Sequence, residues 1–251
     1  MDKSTKIFWG TIVGLVVLVI AAVLVTALFL DKIVKKGVET VGPQILKVPV
    51  TLNDIHIGLM TGTASVKGLV VGNPDGYKTP NAISVGTAAV AVDPLSIFSD
   101  KIVIHSIVVQ SPEITFEGGL GGNNLSTIKD NVNASAKTSG TSSASAAPAK
   151  PAKKIEVDDF LISGAKVHVS LTGLGGKEMT LPLPDIHLTD LGKGGDGITP
   201  ADLTSRLIDA LTAATIKAVS SSATDIGKGV ENIGGAGVDK LKQGLGNLLG
   251  K

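Results

Sequence analysis

Residues 7–30 contain no charged side chain, and this run constrains the fold of the chain more than any other sequence feature. As an α-helix rising about 1.5 Å per residue, the run would measure about 36 Å, longer than the roughly 30 Å hydrocarbon core of a bilayer. A cleaved signal peptide is the alternative, but its apolar region typically spans only about 7–15 residues. No small-x-small cleavage site precedes Asp31. The sequence therefore predicts a retained transmembrane helix over residues 7–30, preceded by the short segment 1–6.

Charge does not orient this predicted helix in the bilayer. The cytoplasmic flank of a membrane helix is usually the richer in Lys and Arg. Here lysines occur on both sides of the run, with Lys3 and Lys6 before it and Lys32, Lys35 and Lys36 after it. In residues 31–46 the apolar side chains recur at close to 3.6 residues, which predicts that the helix continues beyond the membrane before Pro49 stops it. This extension would be a stalk or a lid.

The composition argues against nucleic-acid binding and against cysteine chemistry. The chain has 23 basic and 22 acidic residues and a net charge of +1, whereas nucleic-acid binding requires a positive field. It has no cysteine, which excludes disulfides, thiolate nucleophiles and cysteine-ligated metals. The chain is therefore not expected to have a nucleic acid among its partners.

No set of residues predicts an enzyme. The four histidines are far apart in sequence and lack the paired spacing of a metal site: His56, His105, His168 and His187. Asp158 and Asp159 are adjacent on a predicted strand, so their side chains should point to opposite faces and not act as an acid and base pair. No G-x-S-x-G motif provides a nucleophile. We expect a non-enzymatic protein without a cofactor or a metal.

Residues 31–132 are predicted to form the first part of a β domain. Short alternating apolar runs are separated by glycines, and the sequence Asn-Pro-Asp-Gly at residues 73–76 is a strong turn signal. The strand at residues 101–110 is apolar on both faces, so both faces must be covered. One face would then line an apolar trough and contact lipid, through Ile102, Ile104, Ile107 and Val109. The alternative is that both faces belong to an ordinary core.

The second half of the chain is predicted to contain a linker, more strands and C-terminal helices. Residues 133–154 are rich in Ala, Ser, Thr, Pro and Lys, a composition typical of a disordered linker. Residues 155–198 have strand character and are expected to extend the same sheet. In residues 199–251, Thr199 and Pro200 open an amphipathic helix, and a glycine-rich amphipathic tail follows. The tail would lie on the membrane interface, pack on the domain or fray.

Several segments of the chain, in their order and spacing behind an N-terminal anchor, carry a family resemblance. They are Gly-Leu-Val-Val-Gly-Asn-Pro-Asp-Gly-Tyr at residues 68–77, Ile-Ser-Val at 83–85, Asp-Pro-Leu-Ser-Ile-Phe-Ser-Asp-Lys-Ile-Val-Ile-His at 93–105, Ser-Pro-Glu-Ile-Thr-Phe at 111–116 and Asn-Asn-Leu at 123–125. Together they resemble the N-terminal region of AsmA-like proteins of the Gram-negative envelope. The resemblance covers residues 31–132, and residues 181–192 are similar to short members of the group.

The resemblance implies a fold, an orientation and a function. The fold would be mainly β with α: an N-terminal transmembrane helix, a curved antiparallel sheet with an AsmA-like apolar groove, and C-terminal amphipathic helices. The resemblance implies that residues 1–6 are cytoplasmic, that the anchor lies in the inner membrane and that the body lies in the periplasm. Larger relatives are associated with outer-membrane biogenesis and phospholipid movement. The implied partners are the lipid bilayer, phospholipid in the groove and an envelope protein.

The length of this chain limits what the resemblance implies. Eight to ten strands at about 4.8 Å spacing span roughly 40–50 Å, which is too short for a bridge across a whole periplasm. The protein would instead hold lipid locally, join a longer partner or serve as a scaffold. The alternative to a lipid-handling protein is a membrane-anchored interaction protein with a closed β-sandwich, whose linker and tail recruit partners. A plant-type stress protein with one anchor fits residues 93–116 less well.

Overall fold

The computed structural model describes residues 29–119, 122–140, 153–171 and 178–230 of the 251. Helix α1 covers residues 29–46, helix α2 covers Asn124–Gly140 and helix α3 covers Pro200–Val230. The strands are β1 Val50–Gly58, β2 Thr63–Gly72, β3 Asn81–Val92, β4 Lys101–Gln110, β5 Glu113–Gly119, β6 Gly122–Asn123, β7 Lys154–Ser163, β8 Lys166–Leu171, β9 Glu178–Pro182 and β10 Ile186–Leu191. The prediction of a mainly β protein with helices is confirmed.

The predicted transmembrane helix lies almost entirely outside the described residues, because α1 contains only the last two residues of the run 7–30. Among the helices that the structure describes, none has both the length and the apolar character to cross a membrane. The predicted extension over residues 31–46 is helical throughout, as its periodicity indicated. The tail after residue 230 also lies outside the described residues.

The ten strands belong to one open sheet, in which nine of them form six long lines and the short β6 pairs with the end of β5. The strands β4 and β5 pair with β3 in a single continuous register, from Ala91–Ser106 to Ile83–Ile114. The strands β7 and β8 continue one another in the same way, and so do β9 and β10. The order of the lines is therefore β1, β2, β3, β4–β5, β7–β8 and β9–β10.

The expected antiparallel sheet is wrong in one respect, because the sheet is mixed. The line β7–β8 runs parallel to β4–β5, with Ile102 opposite Ile155 and Ile114 opposite Val167. Parallel neighbours require a long crossover, because the chain must return to the end of the sheet where it started. Helix α2 is part of this crossover.

Helix α2 also shows that the expectation of a disordered linker is wrong in part. Residues 133–140, the start of the predicted disordered segment 133–154, continue helix α2, and residue 154 already belongs to β7. Val132 of α2 is completely buried, and so are Leu125 and Ile128. The helix is stabilised by burying this face rather than by the composition of its last turns. Residues 141–152 lie outside the described residues.

An irregular row crosses the sheet at Asn53, Gly68, Gly86, Ser111 and Gly164. The registers on either side place these residues opposite one another, strand by strand. Gly68, Ser111 and Gly164 have φ values of 61°, 47° and 63°, which lie in the left-handed region. Backbone irregularities of this kind bend strands and increase their twist. The row divides the six lines into two panels. On both sides of the row, the apolar side chains lie on the same face of the sheet.

We expect Gly68→Ala to lower the free energy of unfolding by about 1–3 kcal/mol, because a left-handed φ is costly for an L-residue. In addition, a Cβ at residue 68 would lie 2.6 Å from Asn53 Cγ. The measurement is urea denaturation of the detergent-solubilised chain, followed by circular dichroism. Gly86→Ala is the control, because a Cβ at residue 86 meets no atom within 4 Å. Equal losses in the two variants would contradict this account of the row.

Helices α2 and α3 cover one face of the sheet at the lines β4–β5, β7–β8 and β9–β10. Ile114, Val157 and Val167 of the sheet are fully buried there. The helices contribute Leu125, Ile128 and Val132 from α2, and Ile208, Leu211 and Ala214 from α3. This core consists largely of aliphatic side chains, in agreement with an aromatic content of only 3%.

Helix α1 lies along the free edge of β1 and satisfies its backbone groups. The Asp31 carboxylate accepts a hydrogen bond from Ile57 N at 2.9 Å, and Glu39 accepts one from Leu52 N at 3.1 Å. Lys35 Nζ donates to the carbonyl oxygen of Leu52. The pKa of Glu39 is lowered, mainly by the hydrogen bond from the Leu52 backbone and next by the hydrogen bond from the Lys35 side chain. The helix thus closes an edge that would otherwise pair with another chain.

Candidate functional site

The residues predicted to face lipid lie on β4, and all of them are half-buried. Ile104, Ile107 and Val109 pack against the core, on the face that carries helices α2 and α3. Ile102 lies opposite Ile155 at the start of the strand. Because it is two residues before Ile104, Ile102 lies on the same face of the strand. Contact of these four side chains with lipid stays a prediction.

These side chains belong to an apolar surface that extends across three strands. Val66 of β2, Ala88 of β3 and Val109 of β4 lie directly opposite one another, and Val90 lies opposite Ile107. We call this surface the central stripe, and its residues are Val66, Ala88, Val90, Ile104, Ile107 and Val109. Every residue of the central stripe is half-buried.

The central stripe lies between two better covered parts of the same face. On one side its rows continue to Ile55 of β1, and on the other side to Phe160 and Ile162 of β7, all of which are buried. Helix α1 lies along the β1 edge, and helices α2 and α3 pack on the β7 side. The central stripe is thus an apolar surface with only partial cover in the middle of the sheet.

The opposite face of the same strands is the more polar of the two, and we call it the polar face. Ser65 and Lys67 of β2, Thr87 of β3 and Gln110 of β4 are exposed there. A sheet with one apolar and one polar face buries the first and leaves the second in water. On β4 itself this face also carries Val103 and Val108, which are half-buried, so the expectation that β4 is covered on both faces stays a prediction.

A depression of about 260 Å³ lies on the polar face. Its lining includes Ser84, Glu113, Thr115, His168 and Ser170. His168 Nδ1 lies 3.0 Å from Thr180 Oγ1, and His168 Nε2 lies 3.8 Å from a Glu113 oxygen. The volume is below the roughly 300 Å³ at which small-molecule sites begin, which is little room for an acyl chain. The central stripe is therefore the better candidate for a lipid contact.

The other histidines form separate pairs with aspartates. His105 lies 3.1 Å from Asp158, and His187 contacts Asp159. The expectation that these two aspartates point to opposite faces is wrong, because Val157 and Phe160 on either side of them are both core residues. The register of β3 and β4 shifts at His105, between the pairs Ala91–Ser106 and Val92–Ile104. A shift of this kind changes which face successive side chains occupy, and the change extends to the neighbouring strand β7.

A buried polar network fastens the β2–β3 turn to the rest of the domain. Glu117 of β5 is only 7% exposed and accepts hydrogen bonds from Lys78 N at 2.7 Å, from Thr79 N at 2.9 Å and from the Thr79 hydroxyl at 2.7 Å. Asn73 donates to the carbonyl oxygen of Thr79 at 2.8 Å. The Asn-Pro-Asp-Gly turn is therefore held at its far end by one carboxylate.

Asn124, the first residue of α2, connects this network to the helix. Its side chain is fully buried, accepts a hydrogen bond from Glu117 N at 3.0 Å and donates to Asn73 Oδ1 and to Thr115 O at 2.7 Å each. The preceding Asn123 accepts from Ser126 N at 2.9 Å and so caps the helix. The segments that carry the family resemblance thus meet in a structural clamp.

Sequence reasoning did not identify Glu117 or Asn124 as important. A signal was present for the helix, because Leu125, Ile128 and Val132 follow helical spacing after an asparagine that can cap. No comparable signal exists for Glu117, because its partners lie 38 and 39 residues away in the chain.

Burial of Glu117 raises its pKa, but the hydrogen bonds from Lys78 and Thr79 outweigh that effect and leave the pKa below its ordinary value of 4.5. The folded state therefore binds fewer protons than the unfolded state just below the ordinary pKa. This contribution to stability is complete above the ordinary pKa and is lost as the pH falls through the folded value. We expect Glu117→Gln to flatten the acid limb of the stability profile, measured by urea denaturation at a series of pH values.

The control for this prediction is Glu113→Gln, which removes a largely exposed glutamate from the same strand. It should leave the acid limb close to that of the unsubstituted chain. If Glu117→Gln and Glu113→Gln change the limb equally, the hydrogen bonds to Glu117 are not the source of its pH dependence.

The comparisons with known proteins give one match. The family model of the AsmA family matches residues 1–178. Neither the curated proteins nor the solved structures contain a match. The matched range includes the β2–β3 turn, the clamp around Glu117 and the central stripe.

Proposed function

Because the chain belongs to the AsmA family, whose members are associated with the cell envelope, we propose that it is a membrane-anchored envelope protein that holds lipid acyl chains on its central stripe. Residues 7–30 are its anchor in the inner membrane, and the β domain lies in the periplasm. It acts in envelope biogenesis without a catalytic step, and helps to move lipid by holding it locally.

The observation that supports lipid holding is the partial cover of the central stripe. Apolar side chains contribute about 25 cal/mol for each Å² removed from water, so a half-buried stripe retains a driving force to bind more apolar surface. The stripe lies between helix α1 and helices α2 and α3, which leaves the strands β2, β3 and β4 as its floor. An acyl chain has the chemistry to cover such a surface without polar partners.

A second candidate is a scaffold that binds a longer envelope protein. The complete burial of Ile114, Val157 and Val167 beneath α2 and α3 favours it, because that part of the face is closed. The two candidates differ in what contacts the central stripe.

Site-specific photo-crosslinking tests the proposal. The photoreactive residue p-benzoyl-phenylalanine is placed at Val109, on the central stripe, or at its neighbour Gln110, on the polar face. After irradiation in native membranes, we expect phospholipid adducts by mass spectrometry at Val109 and none at Gln110. A protein adduct at Val109 would favour the scaffold, and equal lipid labelling at both positions would contradict a specific lipid surface.

A further inference from the structure

Two turns lie side by side at the end of the sheet where β1 and β3 finish. The β1–β2 turn contains Gly62, whose carbonyl oxygen accepts a hydrogen bond from Val92 N at 2.7 Å. A Cβ at Gly62 would lie 2.9 Å from Pro94, the second residue of the β3–β4 connection. The two turns therefore form one surface.

This surface is unusually apolar. The first turn exposes Leu59 and Met60, and the second exposes Leu95, Ile97 and Phe98. Met60 is 97% exposed, Phe98 is 87% exposed and Leu95 is 79% exposed. We call these five residues the apolar end. Single exposed apolar side chains need no explanation, but a cluster of large ones marks an interaction surface.

Helix α1 begins at the same end of the sheet. Asp31 bonds to Ile57 N, near the end of β1, whereas Glu39 bonds to Leu52 N, nearer its start, so α1 runs antiparallel to β1. Asp31 is also the first charged residue after the run 7–30. Met60 is three residues after Ile57, so it lies within about 10 Å of that point along an extended chain.

The position of α1 points to a lipid bilayer as the partner of the apolar end. A helix that leaves a bilayer at residue 30 delivers the sheet end directly to the membrane surface, because Asp31 is hydrogen-bonded to β1. Lys32 Nζ lies 5.6 Å from the centre of the Phe29 ring, a pair of residue types suited to the interface between lipid and water. Lys153 Nζ donates to Ile97 O, which adds a cation beside the second turn.

We propose that the apolar end is seated on the membrane that holds the anchor, with Met60, Leu95 and Phe98 inserted among the lipid headgroups and the first acyl carbons. This inference rests on the anchor of the proposed function. It gives the domain a fixed orientation, in which β1 and β3 end, and β2 and β4 begin, at the bilayer. The end of the central stripe at Ile104, which pairs with Val92 next to the turns, then lies closest to the lipid.

Fluorescence quenching in liposomes of phosphatidylethanolamine and phosphatidylglycerol tests the proposal on the full chain. The protein has no cysteine, so Met60→Cys and Phe98→Cys each provide a single labelling site for an environment-sensitive dye. Asp75→Cys is the control, because residue 75 is exposed in the β2–β3 turn at the opposite end of the sheet. With spin-labelled phospholipid, we expect at least about twofold stronger quenching at residues 60 and 98 than at residue 75.

The single tryptophan, Trp9, reports on the anchor in the same samples. Quenching of Trp9 by brominated lipid together with strong quenching at residues 60 and 98 supports the proposal. Quenched Trp9 with residues 60 and 98 no more quenched than residue 75 overturns it and leaves the anchor intact. If Trp9 is not quenched in protein that floats with the liposomes, residues 7–30 are not a membrane anchor, and both proposals are overturned.

Discussion

Replacing Asn124 with alanine is expected to lower the free energy of unfolding by about 3 kcal/mol. The variant removes three hydrogen bonds inside the clamp, leaves Glu117 N buried without this partner and takes one donor from Thr115 O, which is partly buried. A buried polar group that is left without a hydrogen bond costs about 1–3 kcal/mol, which is more than the net contribution of a typical hydrogen bond to stability. Urea denaturation of the detergent-solubilised chain measures the loss.

Asn123→Ala is the matched control, because the same side chain is removed from the neighbouring residue. Asn123 is only half-buried and caps helix α2 through Ser126 N. Loss of a cap of this kind costs about 1 kcal/mol. A loss at Asn124 no larger than that at Asn123 would show that water replaces the clamp, and that burial of the network is not what stabilises the turn.

The second large effect is expected from Leu211→Asp in helix α3. Leu211 is 6% exposed in the core, and the variant forfeits about 2 kcal/mol of apolar burial. It also places a carboxylate among aliphatic side chains, at a further cost of several kcal/mol. We expect a total loss of at least about 4 kcal/mol, with faster hydrogen exchange in α3, in α2 and in β10.

Ala213→Asp provides the comparison, because residue 213 is exposed on the same helix. Only the lower helix propensity of Asp applies there, so its cost should be below about 1 kcal/mol. If Leu211→Asp keeps native exchange rates in β10, helix α3 does not stabilise this part of the sheet. The partly covered apolar surface that contains the central stripe would then extend further than the structure indicates.

The large-effect substitutions and the functional tests probe different parts of one sheet. Helices α2 and α3 cover the β7 side of the apolar face, whereas the central stripe on β2, β3 and β4 has only partial cover. The clamp fixes the end of the sheet at the β2–β3 turn, and the apolar end lies at the other. Stability and the proposed lipid contacts are therefore separable by mutation.

Much of the local structure could be predicted because its causes are local. The continuation of helix α1 to residue 46 follows from apolar periodicity and from Pro49. The start of helix α3 follows from Thr199 and Asp202, which form the expected cap: Asp202 N donates to the Thr199 hydroxyl at 3.0 Å, and that hydroxyl donates to the Asp202 carboxylate at 2.7 Å. The hydrogen bonds that the Asp202 carboxylate accepts from the Thr199 hydroxyl and from Thr199 N lower the pKa of Asp202, although burial opposes them.

The parallel pairing of β4 with β7 could not be predicted in the same way. A strand pattern states which residues face the core, but it does not state which neighbour the strand takes or in which direction. The pairing depends on a crossover that includes α2, and the composition of residues 133–140 indicated a linker. Burial of Val132 against the sheet overrode that composition.

By itself, the sequence determined the predicted anchor, the places where most strands and helices α1 and α3 form, and membership of the family. These properties depend on the length of an apolar run, on residue periodicity and on short turn motifs, all of which are local in the sequence. Only the tertiary structure decided that Glu117 and Asn124 form a clamp, that the central stripe is partly covered and that the two apolar turns meet. Those properties depend on contacts between separate elements, such as Glu117 with Lys78 and Val92 with Gly62, which the chain acquires only when the sheet assembles.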